Sequence, residues 1–299
     1  MKKILVTGGT VFVSKFIAEY YAGLGDEVYV LNRNHHPQPE GTILIEADRH
    51  HLGDTLKQYT FDAVLDVTAY TGEDVTLLLD ALDNFKDYIL ISSSAVYPET
   101  LKQPFFEEQK VGVNTYWGAY GTDKIDAERE LQKRVPSAYI FRPPYLYGPM
   151  NNVYREAFVF DCAEANRKFY LPRKGEMKLQ FFHVRDLFRC IDSVLNKHPL
   201  QHIFNVGNDT AVSIREWVDM CYAVVGKTPE YMEVYKDINQ RNYFSFYDYE
   251  YMLDTTKQKM LIQDTIPLLD GLQEAYHWYR GQNDEVNKRS YMTYIDEEL

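Results

Sequence analysis

The sequence predicts an α/β fold: a doubly wound parallel sheet with helices on both faces, followed by a smaller C-terminal α+β domain. Three observations predict it. Short apolar, β-branched runs alternate with stretches of helical periodicity through the first half of the chain, the pattern of successive βαβ units. A glycine-rich turn, Thr7-Gly8-Gly9-Thr10, joins the first apolar run to the first helical stretch. After Arg142, Pro143-Pro144 and Gly148-Pro149 break the alternation, and a less regular mixture of helices and short strands begins.

In chain order, Lys3–Thr7 is apolar and β-branched and reads as the first strand. Residues 12–24 carry apolar side chains at helical spacing, and Gly25 ends them. Strands are expected at 27–31, 42–46, 63–67 and 88–92, with helices at 52–58 and 75–85 between them. A long helix is expected over 116–133 and a strand over 138–142. Later helices are expected at 153–166, 184–196, 214–225 and 268–279. Residues 1–150 are assigned to the first domain, with segments near 181–210 returning to it, and 151–299 mainly to the second. Between Tyr231 and Tyr251 the chain is dense in Tyr and Phe. The favoured reading is a second-domain core with an aromatic edge, and the alternative is an aromatic wall over a substrate. A nucleic-acid stacking platform is disfavoured, because Asp237, Asp248 and Glu250 stand where lysines would be needed.

Composition narrows the function. Of 299 residues 45% are hydrophobic, which suits a sizeable core. The mean hydropathy of −0.42 and the lack of a long apolar run exclude a membrane helix. The apolar start stops at Thr7-Gly8-Gly9, too short for a secretory signal. Cys162, Cys190 and Cys221 are widely spaced, which fits reduced core thiols in a cytoplasmic protein rather than a disulfide framework or a metal site. His35-His36 and His50-His51 are adjacent pairs that share no face, so they read as surface loop and not as chelates. A net charge of −12 opposes a polyanionic partner, leaving a small-molecule substrate as the expected ligand.

Two constellations carry chemistry. The turn after the first strand aims backbone N–H groups and a positive helix end at a pyrophosphate. The three-glycine form of such a turn would place glycines at 8, 11 and 14, whereas this chain has Gly8, Val11 and Ser14. Ser14 preserves close packing, but a β-branched Val11 resists positive φ, so the turn either takes another path through Gly9 or binds more weakly. At the end of the second strand stand Asn32-Arg33 in place of an acidic residue. That exchange favours a ribose 2′-phosphate, and hence NADP over NAD.

The second constellation pairs a serine-rich strand end, Ser92-Ser93-Ser94, with Tyr120 and Lys124, four residues apart on one helix face. A tyrosine with a pKa near ~10 is a poor base at neutral pH, and a lysine ammonium with a positive nicotinamide ring would bring it toward working range. A serine hydroxyl at a strand end can steady charge on a substrate oxygen. The spacing recurs at Tyr170 and Lys174, but Pro172 between them breaks the shared face.

With TGGTVFVS at 7–14, SSSAVY at 92–97, YGTDK at 120–124, RPPYLYGP at 142–149, FFHVRDL at 181–187, FNVG at 204–207 and LDTTK at 253–257, the chain resembles the extended short-chain dehydrogenase/reductases, the NAD-dependent epimerase/dehydratase family. The resemblance implies a Rossmann-type domain with a C-terminal substrate domain, Tyr120 as acid/base, Lys124 as its partner and Ser93 as the catalytic serine. It implies NAD(P) contacts from Gly8, Gly9, Thr10, Phe12, Val13, Asn32, Arg33, Asp48, Arg49, Lys124 and Pro143, with Asp48 near the adenine. Ser94, Tyr145, Asn151 and Arg241 are the implied substrate contacts, Arg241 at a diphosphate. A homodimer through helices near 74–85 and 116–133 is also implied. Leu179-Gln180 stand where many nucleotide-sugar enzymes carry an arginine. The GGTxF, NR and ADR motifs are closer to atypical members, among them stem-loop-binding proteins linked to RNA.

Three functions follow as expectations: an NAD(P)-dependent epimerase, dehydratase or reductase acting on a sugar nucleotide or similar polyol, an NADPH-dependent carbonyl reductase, or a non-catalytic cofactor-binding protein. The complete Ser-Tyr-Lys set and the acidic balance speak against the non-catalytic reading, while cofactor stoichiometry distinguishes the first two.

Overall fold

The computed structural model describes residues 1–299. The apolar runs form β1 (Lys3–Thr7), β2 (Glu27–Asn32), β3 (Thr42–Glu46), β4 (Thr60–Asp66) and β5 (Asn84–Ile91), with α1 (Phe12–Gly23) after β1 and α2 (Gly72–Ala81) after β4. α3 (Ala119–Arg134) leads into β6 (Tyr139–Arg142). The second half supplies β7 (Tyr145–Tyr147), α4 (Glu156–Glu164), β8 (Phe169–Pro172), β9 (Lys178–Leu179), β10 (Phe181–His183), α5 (Val184–Lys197), β11 (Ile203–Asn205), β12 (Val212–Ser213), α6 (Ile214–Val225), β13 (Tyr231–Val234), α7 (Leu268–Gln282) and α8 (Tyr291–Glu298).

Seven strands make one sheet in the order β11-β6-β5-β4-β1-β2-β3, every pair parallel. It is a Rossmann-type doubly wound sheet. α1 and α5 cover one face around Phe16, Ile17, Leu187 and Ile191. α2 and α3 cover the other around Val75, Leu78, Ala127 and Leu131. A third apolar cluster gathers α4, α6 and α7 around Trp217, Phe158, Phe160 and Phe181, and three two-stranded pairings, β10-β7, β12-β9 and β13-β8, frame it. Strand order reverses between β1 and β4, and an open crevice at the carboxyl ends of the strands is the usual consequence.

Several element boundaries differ from the sequence reading for identifiable reasons. No helix forms over 52–58: a single 3-10 turn, Arg49–His51, is capped by the Asp48 side chain, and Gly53 at φ 51° leaves the helical path. Leu52 and Leu56 are nevertheless buried, so their helical spacing reported burial rather than a helix. α2 starts earlier than 75, through a capping box between Thr71 and Asp74, and stops at Ala81 because 84–87 enter β5 opposite β4. α3 starts at Ala119, since Gly118 at φ 53° precedes it. This leaves Tyr116 and Trp117 outside the helix. α4 is shorter than 153–166: Val153 pairs with Asn287, and Asn166 turns left-handed at φ 51°. Most aromatics of 231–251 are second-domain core, with Tyr243, Phe244, Phe246, Tyr249 and Tyr251 buried.

Candidate active site

A crevice of about 420 Å³ lies over the carboxyl ends of the central strands. Its sheet side is lined by the first turn of α1, Val67 and Thr68 after β4, Ser93 and Ser94 after β5, and Pro143 after β6. Tyr120 and Lys124 reach it from α3, and Tyr145, Arg155 and Tyr251 complete its lining.

The glycine-rich turn solves its missing glycines by another route. Gly8 and Gly9 take positive φ (87° and 89°), Val11 is extended at φ −137°, and the left-handed residue that follows is Phe12 at φ 38°. A Cβ on Gly9 would sit 2.4 Å from Val30, so no side chain fits there. Ser14 is buried and its hydroxyl donates to the Val11 carbonyl at 2.9 Å. α1 has no side-chain cap and no acidic residue in its first turn, so its orphan N–H groups and positive end are left for an anion. That arrangement fits the pyrophosphate of a dinucleotide, held by 8–13.

The other dinucleotide candidates divide. Arg33 is exposed at the end of β2. Asn32 instead turns inward: its amide donates to the Gly8 carbonyl at 2.7 Å and to Gln38 at 2.9 Å, bracing the turn. Asp48 accepts from the His50 N–H, and that bond with the nearby His50 and Arg33 charges holds its carboxyl below the ordinary value. Arg49 makes a two-oxygen contact with the buried Asp66, both at 2.7 Å, so it is a structural cation beneath the crevice. Thr10 is not among the lining residues.

Ser92, Ser93 and Ser94 have separate tasks. Ser92 is buried and donates to Glu128. Ser93 faces the crevice while its oxygen accepts the Ala95 N–H at 3.1 Å, and Ser94 lines the crevice beside Tyr251. Tyr120 keeps 38% of its surface exposed, but the surroundings of its hydroxyl are desolvated. That desolvation raises its pKa, the Ser93 hydroxyl opposes the rise, Tyr70 adds to it, and the Arg155 guanidinium lowers it.

Lys124 is only 2% exposed. Its Nζ donates to the carbonyls of Ala69 at 2.7 Å and Ile91 at 2.9 Å and lies 5.0 Å from the Tyr70 ring centre. Burial pulls its pKa down to about 8, against the attraction of Asp66 and Glu128. The sequence expectation is that its charge supports a phenolate at Tyr120. The two donations anchor the lysine to backbone, one helical turn along α3 from Tyr120.

Arg142, within the RPPYLYGP motif, places this helix. Its guanidinium forks onto Glu128 of α3 (2.9 and 2.6 Å) and reaches the Tyr97 hydroxyl at 2.8 Å, all buried. Sequence reading missed both members, although a charged pair in an otherwise apolar strand and helix face was a usable signal. Asn151 belongs to a different contact: it is buried, donates to Glu156 at 2.8 Å and does not line the crevice. Tyr145 does, with its hydroxyl unpartnered and its pKa pushed up to about 12 by burial. Gln180 is buried and spent on the Asn208 and Leu253 backbones. Arg241 lies beyond Tyr145, beside a smaller cavity. The three cysteines are buried and free, no group of side chains has metal-ligand geometry, and no helix is long and apolar enough to cross a membrane.

Known proteins share this architecture. The chain is 27% identical, over 92% of its length and 79% of the relative's, to the chloroplast stem-loop binding protein of 41 kDa b of Arabidopsis thaliana. It is 21% identical to the dTDP-D-glucose 4,6-dehydratase of Mus musculus, over 93% of this chain and 89% of that one. Among solved structures, the enzyme WbmG of Bordetella bronchiseptica in complex with NAD superposes with a TM-score of 0.79 over 96% of each chain at 16% identity. The UDP-glucuronic acid 4-epimerase of Bacillus cereus, in complex with UDP-glucuronic acid and NAD, superposes at 0.73 over 93% of this chain and 99% of that one, at 19% identity. Residues 4–207 match a single family along the whole stretch that carries the turn, the serines, Tyr120 and Lys124, and the chain therefore belongs to the NAD dependent epimerase/dehydratase family.

Proposed function

We propose that this chain is an NAD(P)-dependent enzyme of the epimerase/dehydratase type, acting on a hydroxyl-bearing carbon of a sugar nucleotide. The observation that carries the reading is the convergence of Ser93, Tyr120 and Lys124 on the one crevice that also receives the uncapped end of α1. The dinucleotide, when bound, supplies hydride exchange at its nicotinamide. The chain supplies the proton chemistry. Tyr120 takes the proton of a substrate hydroxyl at its phenol oxygen, or returns it. Its raised pKa means that the phenol is protonated in the free protein, so forming the phenolate depends on positive charge brought nearby. Lys124, one turn away, is the built-in source of that charge, and Ser93 Oγ can donate to the substrate oxygen.

Replacing Tyr120 with Phe tests this. The substitution removes one hydroxyl from a partly exposed ring, so the fold and NADH binding should persist. Turnover should fall about 10²- to 10⁴-fold, the range for positioned acid–base groups. A variant with full activity overturns the assignment of Tyr120. A reductase consumes reduced cofactor stoichiometrically whereas an epimerase returns it each cycle, so cofactor balance separates the two readings.

Arg33 and Asp48 set the choice of dinucleotide. Arg33 offers a cation to a 2′-phosphate, but Asp48 stands within its electrostatic reach and offsets it. The solved relatives named above are NAD complexes, and NADP use by this chain rests on Arg33 alone. The homodimer suggested by the family resemblance would join α2 and α3, whose outward faces carry Glu73, Asp80, Asp126, Arg129 and Lys133. Such a contact would be ionic. The acidic balance supports a small-molecule partner over RNA, and buried free thiols support a reducing, cytoplasmic setting.

A further inference from the structure

Lys124 is a buried cation without a carboxylate of its own. Its ammonium has three protons to place, and the structure gives them two acceptors, the carbonyls of Ala69 and Ile91. The carboxylates whose fields reach it are engaged elsewhere. Asp66 on β4 takes Arg49 on both oxygens, with Thr7 and Tyr88 on the same group. Glu128, one turn further along α3, takes Arg142 and Ser92. Asp74 on α2 takes the Tyr70 and Thr71 N–H groups and the His50 ring. Arg49, in the 3-10 turn after β3, adds a like charge that opposes the ammonium.

What remains to meet the ammonium is the face of Tyr70. The ring centre lies 5.0 Å from Nζ, inside the range of about 6 Å over which an aromatic quadrupole attracts a cation. The same ring lies 6.5 Å from that of Tyr120, tilted by 54°, so one side chain borders both members of the pair. Tyr70 is 54% exposed and belongs to none of the three apolar clusters, so it does not serve as core. Its backbone is nonetheless fixed. The Tyr70 N–H donates to Asp74 at 2.9 Å, beside the capping box that starts α2, and the carbonyl just before it is one that Lys124 holds. The chain's other lysine–ring contact, Lys288 with Tyr279, is exposed and already paired with Asp161. The contact at Tyr70 is the desolvated one, where such attraction is strongest.

We infer that Tyr70 is a positioning residue of the site, its ring face holding the Lys124 ammonium as a cation one helical turn from Tyr120. The inference rests on the reading of Tyr120 and Lys124 as the acid–base pair. Tyr70 acts through the lysine and not on the phenol directly, because its own phenol raises the Tyr120 pKa. The ring favours the ammonium over the amine, against the burial that pulls Lys124 down to about 8. It thereby widens the pH range in which a phenolate at Tyr120 has a positive neighbour.

The test reads Lys124 directly. The full chain is isotope-labelled at the lysine ε-carbons and titrated by NMR, and the Lys124 signal is the one missing from Lys124→Met. In Tyr70→Phe, which keeps the ring, the midpoint should match wild type. In Tyr70→Leu, which keeps apolar bulk without the ring, it should fall by about one pH unit. Tyr70→Met, also without a ring, should show the same fall and replaces the leucine variant if that one does not fold. Equal midpoints in wild type and the ringless variants overturn the inference, and so does a Tyr70→Phe midpoint as low as theirs. The titration needs no turnover, so an unshifted midpoint counts against Tyr70 alone, whereas full activity of Tyr120→Phe counts against the acid–base reading.

Discussion

Replacing Lys124 with Met should alter the pH dependence of stability in a predictable direction. The lysine is buried, and desolvation brings its pKa from 10.5 to about 8 in the folded chain. Below pH 8 the ammonium is charged in both states, and the folded state bears the whole penalty of burying it. Between about 8 and 10.5 the folded chain is neutral while the unfolded chain remains charged, so unfolding takes up a proton and stability rises with pH. Above that window both states are neutral and the penalty has gone. At about 1.4 kcal/mol per pH unit the penalty is about 3 kcal/mol, and about 2.5 kcal/mol of it should disappear between pH 7 and pH 10. The hydrogen bonds to Ala69 and Ile91 can be made by either the ammonium or the amine, so they contribute a nearly constant offset. Urea unfolding of wild type and Lys124→Met at both pH values gives the difference directly, and comparing the two chains cancels the other titrating groups. Wild type should gain about 2.5 kcal/mol on the variant across that interval. Parallel profiles would refute the claim that the crevice floor holds a destabilised ammonium.

Three further outcomes follow from the same geometry. Glu128→Gln removes the anion facing buried Arg142 and should cost about 3–5 kcal/mol in chemical denaturation; a loss below 1 kcal/mol would mean that α3 is held by its apolar face alone. Arg33→Ala should weaken NADP binding about tenfold relative to NAD, roughly 1.4 kcal/mol for one exposed charge-assisted contact. Equal changes for the two dinucleotides in isothermal titration would show that Arg33 does not meet the 2′ position. A dimer built on the charged faces of α2 and α3 should dissociate as salt approaches roughly 1 M, where the screening length falls to about 3 Å; a light-scattering mass unaffected by salt would place the contact elsewhere.

The central strands were legible because parallel strands buried on both faces leave continuous apolar runs, and β1 begins and ends where its run does; the edge strand β3 also keeps its expected bounds, although only Ile45 in it is buried. The helices over 184–197 and 214–225 were legible for the complementary reason, a strong apolar stripe on one side. What failed was the reading of short windows. Leu52 and Leu56 recur at a helical interval, yet Gly53 breaks the path between them, and 84–87 look like the tail of a helix until β4 pairs with them. In the site, local spacing located Tyr120 and Lys124, since one helix carries both. That Arg155 and Arg241 line one small cavity was not legible, because their segments meet only through contacts between parts of the chain far apart in sequence, Ser245 to Tyr154 among them. Asn32 and Arg49 are held by partners distant in sequence, Gly8 and Asp66, and Asn151 by Glu156 five residues on.

The phosphate turn joins these two kinds of information. Judged by glycine positions alone it is defective, because a β-branched residue at 11 cannot readily take positive φ. The chain avoids that demand by keeping Val11 extended and moving the left-handed step to Phe12, at φ 38°. A non-glycine residue there carries strain on the order of 1–2 kcal/mol, which must be offset by packing. Phe12 lies against the core under α1, where its ring has apolar partners that a glycine would forfeit. The strain falls at the first residue of the helix whose N–H groups face the crevice, as expected where a backbone is shaped for a ligand. A glycine at 12 would relax the backbone but would forfeit the contact that the ring makes with the core, so a turn with fewer glycines exchanges backbone ease for packing.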